Sequence, residues 1–331
     1  MQPKVSVLFP VYNGERFLEE AIDSILNQTF HNFELLILFE YGSNEASRKI
    51  VESRTKDHRV RVIENKECRL GLAESLNLGM REARGEYIAR MDADDISLPK
   101  RFEKQVKYLD KHPKIVMCGT AMKGLYDDGY MDKRGYFSDS GSIRFECMLG
   151  NPFGHPTVMW RKDAFLKEGL FYRNTPYSED FELWKRVVEL FPCANLKEYL
   201  LIYRLHGESA SALYEDTLGS VNDALNREYL AKYHIDYDVA GPFFRGGLSE
   251  EDIEHREDIM RQICCIWSDP RKSYKALEQR MRLFYVENHV YDFKRYWERF
   301  GFVYQNSLYD KIRIWISIHM HKMAETFRGS R

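Results

Sequence analysis

Three carboxylates stand within four residues at Asp92-Ala93-Asp94-Asp95. So close together they repel one another unless they are solvated or share a cation. An all-oxygen donor set suits a hard ion such as Mg2+ or Mn2+. An EF-hand starting at Asp92 is excluded, because Ile96 and Ser97 stand where an oxygen ligand and a glycine are needed. Two further polar clusters follow apolar runs: Tyr12-Asn13 after Val5–Pro10, and Glu40 after Phe33–Phe39.

The elements that carry these clusters alternate in period. Val5–Pro10, Phe33–Phe39, Val60–Glu64, Tyr87–Met91 and Ile115–Met122 read as strands. Glu15–Gln28, Ala46–Lys56, Leu72–Ala83 and Lys100–Lys111 read as the helices between them. Such alternation implies βαβ units and a mostly parallel sheet flanked by helices. Ligands of such sheets sit outside the carboxyl ends of the strands, where all three clusters fall.

Beyond residue 123 the pattern loosens. Gly124 to Gly129 suggests a turn or hairpin, and Thr157–Trp160 and Leu196–Tyr203 read as strands. Arg161–Glu168 and Asp180–Phe191 read as helices. From 214 the chain becomes helical, over Asp216–Tyr233, Glu250–Cys265, Asp269–Asn288 and Leu308–Phe327. The expected domains are therefore 1–213 and a helical C-terminal extension, 214–331.

The 331 residues are 44% hydrophobic and 14% aromatic, which argues against disorder over most of the length. A net charge of −2 gives no global basic excess for nucleic acid. Nothing at the N-terminus reads as a signal peptide, and no apolar run reaches the roughly 20 residues that span a bilayer. Cys68, Cys118, Cys147, Cys193, Cys264 and Cys265 form no CxxC pair and read as reduced thiols. The expected location is cytoplasmic.

Taken together, several stretches resemble the family 2 glycosyltransferases, inverting enzymes of the GT-A fold. They are Val5-Ser6-Val7-Leu8-Phe9-Pro10-Val11-Tyr12-Asn13-Gly14, Ser24 to Phe30, Gly71 to Gly79, and Ala83-Arg84-Gly85-Glu86-Tyr87 through Asp95. His155-Pro156, Glu179-Asp180-Phe181-Glu182-Leu183-Trp184 and Tyr203-Arg204-Leu205-His206 continue the order. The resemblance covers about residues 4–210.

The resemblance implies roles. Pro10, Val11, Tyr12 and Glu40 would hold the nucleotide base and ribose, although Glu40-Tyr41-Gly42-Ser43 departs from the family's Asp-Asp-Gly-Ser. Asp92, Ala93 and Asp94 would meet the ribose and, through a divalent Mn2+ or Mg2+, the diphosphate. Asp94 and His206 would be the metal ligands. Arg69 would pair with phosphate as a fork donor, and Asn77 would join the donor site. Asp180 would be the catalytic base. It follows Ser178, a good N-cap, and the helix dipole favours its ionised form. Asn151, His155 and Glu179 would shape the acceptor side.

The implied reaction moves one sugar from a nucleoside-diphosphate sugar, UDP-linked, to an acceptor hydroxyl with inversion, in bacterial surface polysaccharide or glycan synthesis. The processive Gln-x-x-Arg-Trp motif is missing, so one sugar is added per encounter. The alternatives are a nucleotidyltransferase and a non-catalytic nucleotide-sugar-binding module. Leu308–Phe327 carries Leu308, Ile312, Trp315, Ile316 and Met323 at near-helical spacing, with Lys311, Arg313 and Lys322 among them. Such a helix suits a peripheral contact with the inner face of the plasma membrane, beside a lipid-linked glycan acceptor, or packing in a homo-oligomer.

Overall fold

The computed structural model of the chain describes residues 2–207, 213–239 and 247–266, with Phe243, Phe284 and Asn288. Among the described residues, nine strands form one sheet. They are Val5–Val11 (β1), Phe33–Phe39 (β2), Val60–Glu64 (β3), Tyr87–Arg90 (β4), Ile96–Ser97 (β5), Met117–Tyr126 (β6), Met131–Arg134 (β7), Met159–Arg161 (β8) and Cys193–Leu205 (β9). Their order is β3-β2-β1-β4-β8-β6-β9-β5, with β7 paired to β6. The first four in that order are parallel, as are β6 and β9; β5, β7 and β8 run the other way.

Helices flank this mixed, mostly parallel sheet: Glu15–Leu26 (α1), Glu45–Arg54 (α2), Leu72–Glu82 (α3), Arg101–Lys111 (α4), Lys162–Lys167 (α6) and Glu179–Leu190 (α7); the other described helices are Ser140–Leu149 (α5), Glu215–Ala231 (α8) and Glu250–Ile266 (α9). Every residue of β2 is buried, as a parallel strand covered on both faces requires. Val5, Val7, Phe9 and Val11 share one core cluster with the α1 stripe Leu18, Ala21, Ile22 and Ile25. On the opposite face α3 approaches through Gly79, where an added Cβ would come within 2.9 Å of Leu8 and Leu38. Burying each such aliphatic side chain contributes about 1.5–3 kcal/mol.

The turn after β1 is fixed by two left-handed residues, Asn13 at φ 59° and Gly14 at φ 94°. Those types adopt that region at the least steric cost. Asn13 Oδ1 also accepts the Asn44 N–H at 2.9 Å, which ties the end of β1 to the start of α2.

The sequence reading differs from the structure in its second half. Ile115–Met122 is the longer β6, Leu196–Tyr203 the longer β9, and Thr157–Trp160 starts as a 3₁₀ turn at His155–Thr157 before β8. Helix α5 was not anticipated. Its Ile143, Phe145, Cys147, Met148 and Leu149 are all buried, so it shows no amphipathic stripe. The two-residue β5 is too short to leave a periodic signal.

The chain folds as two units. One comprises the described residues up to Ser140 and Asn151–Leu218, and it holds the whole sheet. The other takes in Gly141–Gly150 and the described residues from Gly219 onward. Within it Asn226 Nδ2 donates to Leu149 O at 3.3 Å and the Tyr237 hydroxyl to Asp223 Oδ1 at 3.2 Å.

The helices expected over 269–288 and 308–327, the membrane-facing role of the latter, and the Cys264 and Cys265 side chains lie outside the described residues. Cys68, Cys118, Cys147 and Cys193 are not joined in disulfides. No described helix is long and apolar enough to cross a membrane.

Candidate active site

The loop after β4 carries Asp92, Asp94 and Asp95, whose ligand atoms all lie within 4.8 Å of one another. Strand β5 turns the chain back along β9, pairing Ile96 with Ile202 and Ser97 with Leu201. That antiparallel register brings the residues just before β5 beside the end of β9. Arg204 N donates to Asp95 Oδ1 at 2.9 Å, and Arg204 Nη1 donates to the Asp94 carbonyl at 2.6 Å. Beyond the strand, His206 Nε2 lies 3.1 Å from Asp94 Oδ2. Two stretches more than 100 residues apart thus meet through a two-residue strand.

These groups fit a divalent cation. Three carboxylates converge, the donors are hard oxygens with one imidazole, and Asp95 Oδ2 is buried without a hydrogen-bond partner. Burial pushes the Asp95 carboxyl well above the usual carboxylate range, and the charges of Asp92 and Asp94 push further. Asp92 is also raised by burial, against the pull of Arg90, with Asp94 and Asp180 adding to the rise.

Arg90 went unnoticed in the sequence. It is 2% exposed on β4, and its guanidinium pairs with the Asp92 carboxylate. Burial alone would lower its pKa; the Asp92 charge reverses that and raises it. The signal was present as a lone arginine in the apolar run Tyr87-Ile88-Ala89-Arg90-Met91.

Asp180 sits in the first turn of α7. Its Oδ2 accepts from Asn151 Nδ2 at 2.7 Å and its Oδ1 from the Phe181 N–H at 2.7 Å. Burial raises its pKa while those two bonds and the Arg90 charge pull it back. The neighbouring Glu179 is pushed up to about 7 by burial and by the Asp180 charge. Four residues after Asp180, Trp184 packs edge-on against Phe153, His155 and Tyr172 at 5.8, 5.9 and 6.4 Å between ring centroids. The His155 ring nitrogen Nε2 lies 3.0 Å from the Tyr172 hydroxyl. Burial, with the Arg90 charge, holds His155 well below its ordinary pKa, so it is neutral. The Asn151–His155 segment therefore fixes α7 both at Asp180 and at Trp184.

At the ends of β1 and β2 the residues expected to meet the nucleotide divide. Pro10 and Val11 lie on β1, and the Val11 carbonyl accepts the Glu40 N–H at 2.9 Å. Tyr12 is 43% exposed, and the Arg69 guanidinium carbon sits 3.6 Å from its ring centroid. Glu40 is 6% exposed, and its carboxylate is engaged within the fold. Oε2 accepts the Leu70 and Gly71 N–H groups at 3.0 and 3.2 Å, and Oε1 takes the Ser75 hydroxyl. It thereby fixes the loop that presents Arg69. Ala93 packs against the core between the two acids.

Asn77 stands apart from the other expected donor-site residues. It is 2% exposed, its Nδ2 donates to the Tyr172 carbonyl at 2.9 Å and its Oδ1 accepts the Tyr172 N–H at 2.9 Å. Both ends of its amide clamp the irregular segment between α6 and α7.

A profile described as glycosyl transferase family 2 matches residues 6–170. An uncharacterized glycosyltransferase of Haemophilus influenzae is 35% identical over 252 residues, 72% of this chain and 77% of the relative. The chain belongs to glycosyl transferase family 2. The O-antigen biosynthesis glycosyltransferase WbnJ of Escherichia coli is 33% identical over 237 residues, covering 69% of this chain and 92% of WbnJ. The structure of S. aureus TarS 1-349 in complex with UDP-GlcNAc superposes with a TM-score of 0.58 at 16% identity, covering 85% of this chain and 81% of the TarS 1-349 chain. The sheet is thus that of the GT-A glycosyltransferases. In this family 2 glycosyltransferase the matched segment includes the whole Asp92–Asp95 loop, while Asp180 and His206 lie beyond it.

Proposed function

We propose that the enzyme moves one sugar from a UDP-sugar to an acceptor hydroxyl with inversion, building a bacterial surface polysaccharide on a lipid-linked glycan at the cytoplasmic side of the membrane. The single observation that carries this reading is the Asp180 carboxylate, held by Asn151 and the α7 N-terminus within electrostatic reach of the Asp92 loop. A half-buried acid fixed by two donors is built to accept a proton, which a mere binding module does not need. The relation to the O-antigen enzyme WbnJ supports the polysaccharide assignment.

Arg69 and Tyr12 present a flat cationic–aromatic face for the base and its phosphates. Asp92, Asp94 and Asp95, with His206, would hold a divalent Mn2+ or Mg2+. When bound, that ion supplies positive charge to stabilise a departing diphosphate. Asp180 takes the proton from the acceptor hydroxyl as its oxygen attacks the anomeric carbon from the side opposite the diphosphate. One bond forms as the other breaks, so the configuration inverts. Arg90 keeps Asp92 oriented from beneath. A positioned base of this kind contributes about 10²–10⁴-fold.

The test uses the purified chain with Mn2+ and a panel of sugar nucleotides. Release of UDP, stimulated by acceptor and abolished in Asp180→Asn, supports the reading. NMR of the product's anomeric coupling then reads inversion or retention directly.

A further inference from the structure

Tyr177 and Tyr214 stack with ring centroids 4.0 Å apart and planes 14° from parallel. Both rings stay open to solvent, at 39% and 41% exposure, and Leu213 beside them is 60% exposed. Tyr177 also has φ 58°, a left-handed conformation that is strained for a bulky residue. A strained backbone that holds an aromatic ring outward contributes nothing to a core.

The position of the pair gives it meaning. Tyr177 stands three residues before Asp180, in the loop that leads into α7. Tyr214 stands eight residues after His206, on the stretch that leaves β9. The stack therefore joins the segment entering the base to the segment leaving the Asp94–His206 contact. The donor side has its own aromatic, Tyr12, under Arg69 at the end of β1.

We propose that Tyr177 and Tyr214 form a stacking platform for a hexopyranose ring of the acceptor, next to the hydroxyl that Asp180 deprotonates. This rests on the transferase reading above. The chemistry is general: an aromatic face is electron-rich, and the axial C–H bonds on one face of a pyranose are its positive counterpart. The phenol hydroxyls supply polar tips for the sugar's own hydroxyls at the rim.

The test is saturation-transfer NMR on the full chain with Mn2+ and UDP, using methyl glycosides of glucose, galactose, N-acetylglucosamine and rhamnose as probes. UDP affinity is measured in parallel by calorimetry. Tyr177→Gly removes the ring and relieves the positive φ at once, so it does not depend on a strained backbone; Tyr214→Ala removes the other ring. The expected result is saturation of the axial C–H protons of at least one glycoside, reduced at least fivefold in both variants, retained in Tyr177→Phe, with UDP affinity unchanged throughout. Unchanged saturation in the two truncations, or none with the wild-type chain that binds UDP, would overturn the platform. Failure of the wild-type chain to bind UDP would instead remove the reading on which it rests.

Discussion

The Asn151 amide donates to Oδ2 of Asp180 over 2.7 Å, from a segment that packs on the same helix again at Trp184. The bond favours the ionised carboxylate and so opposes the burial that raises it. In Asn151→Ala the Asp180 pKa moves further up, and the fraction of active base falls at low pH. Transfer is expected to drop most at acid pH, with the deficit shrinking as pH rises. A pH–rate profile checks this; a uniform loss at every pH would point to misplacement of α7 instead.

Asp180→Asn separates chemistry from binding. It keeps the shape and the Asn151 contact region but cannot take a proton. UDP affinity should stay within a few-fold of wild type while transfer falls by about 10² or more. Calorimetry and a UDP-release assay read the two effects separately. Retained turnover would make Glu179 the base.

On the proposed reading, Asp94 would carry the cation-dependent part of donor binding. UDP should bind in the presence of Mn2+, lose affinity in EDTA, and bind weakly in Asp94→Ala whether or not Mn2+ is present. Equal affinity in all three conditions would show that the acidic loop has another use.

Much of the first half of the fold was legible because its signals are local. The α1 stripe and the wholly apolar β2 can be read from periodicity and length alone. Asp92–Asp95 were legible as clustered charge at a strand end. Less visible were features set by tertiary pairing. Nothing in the sequence around Ile96-Ser97 announces that it pairs with Leu201 and Ile202 and so carries Asp94 to His206. Arg90 was hidden because a strand reading treats it as an exposed exception, whereas Asp92 makes its burial tolerable. Glu40 and Asn77 show the converse. Both have the side chains a ligand site uses, and both spend hydrogen bonds on their own chain.

Asn77→Leu tests that last point. It removes two buried hydrogen bonds and leaves the Tyr172 N–H and carbonyl without partners. The expected cost is about 2–4 kcal/mol of stability, read as a fall in Tm, with UDP affinity of the folded protein unchanged. A selective loss of UDP affinity at normal Tm would make Asn77 a donor ligand after all.

Glu179 yields a stability prediction with a definite sign. Burial and the Asp180 charge raise its carboxyl from the usual 4.5 to about 7 in the fold. Between those values the folded chain holds a proton there that the unfolded chain has released. The folded state therefore binds more protons, and this group's contribution to stability declines as pH rises from about 4.5 to about 7, staying low above that. Glu179→Gln keeps a neutral group of the same shape at every pH. Its stability relative to wild type should grow across this window and level off near pH 8, by about 2 kcal/mol. Urea unfolding of both proteins in EDTA at pH 4.5, 6, 7 and 8 measures the difference, so titrations common to the two cancel. A constant difference over that range would mean that Glu179 ionises freely and that Asp180 bears the cost of burial alone.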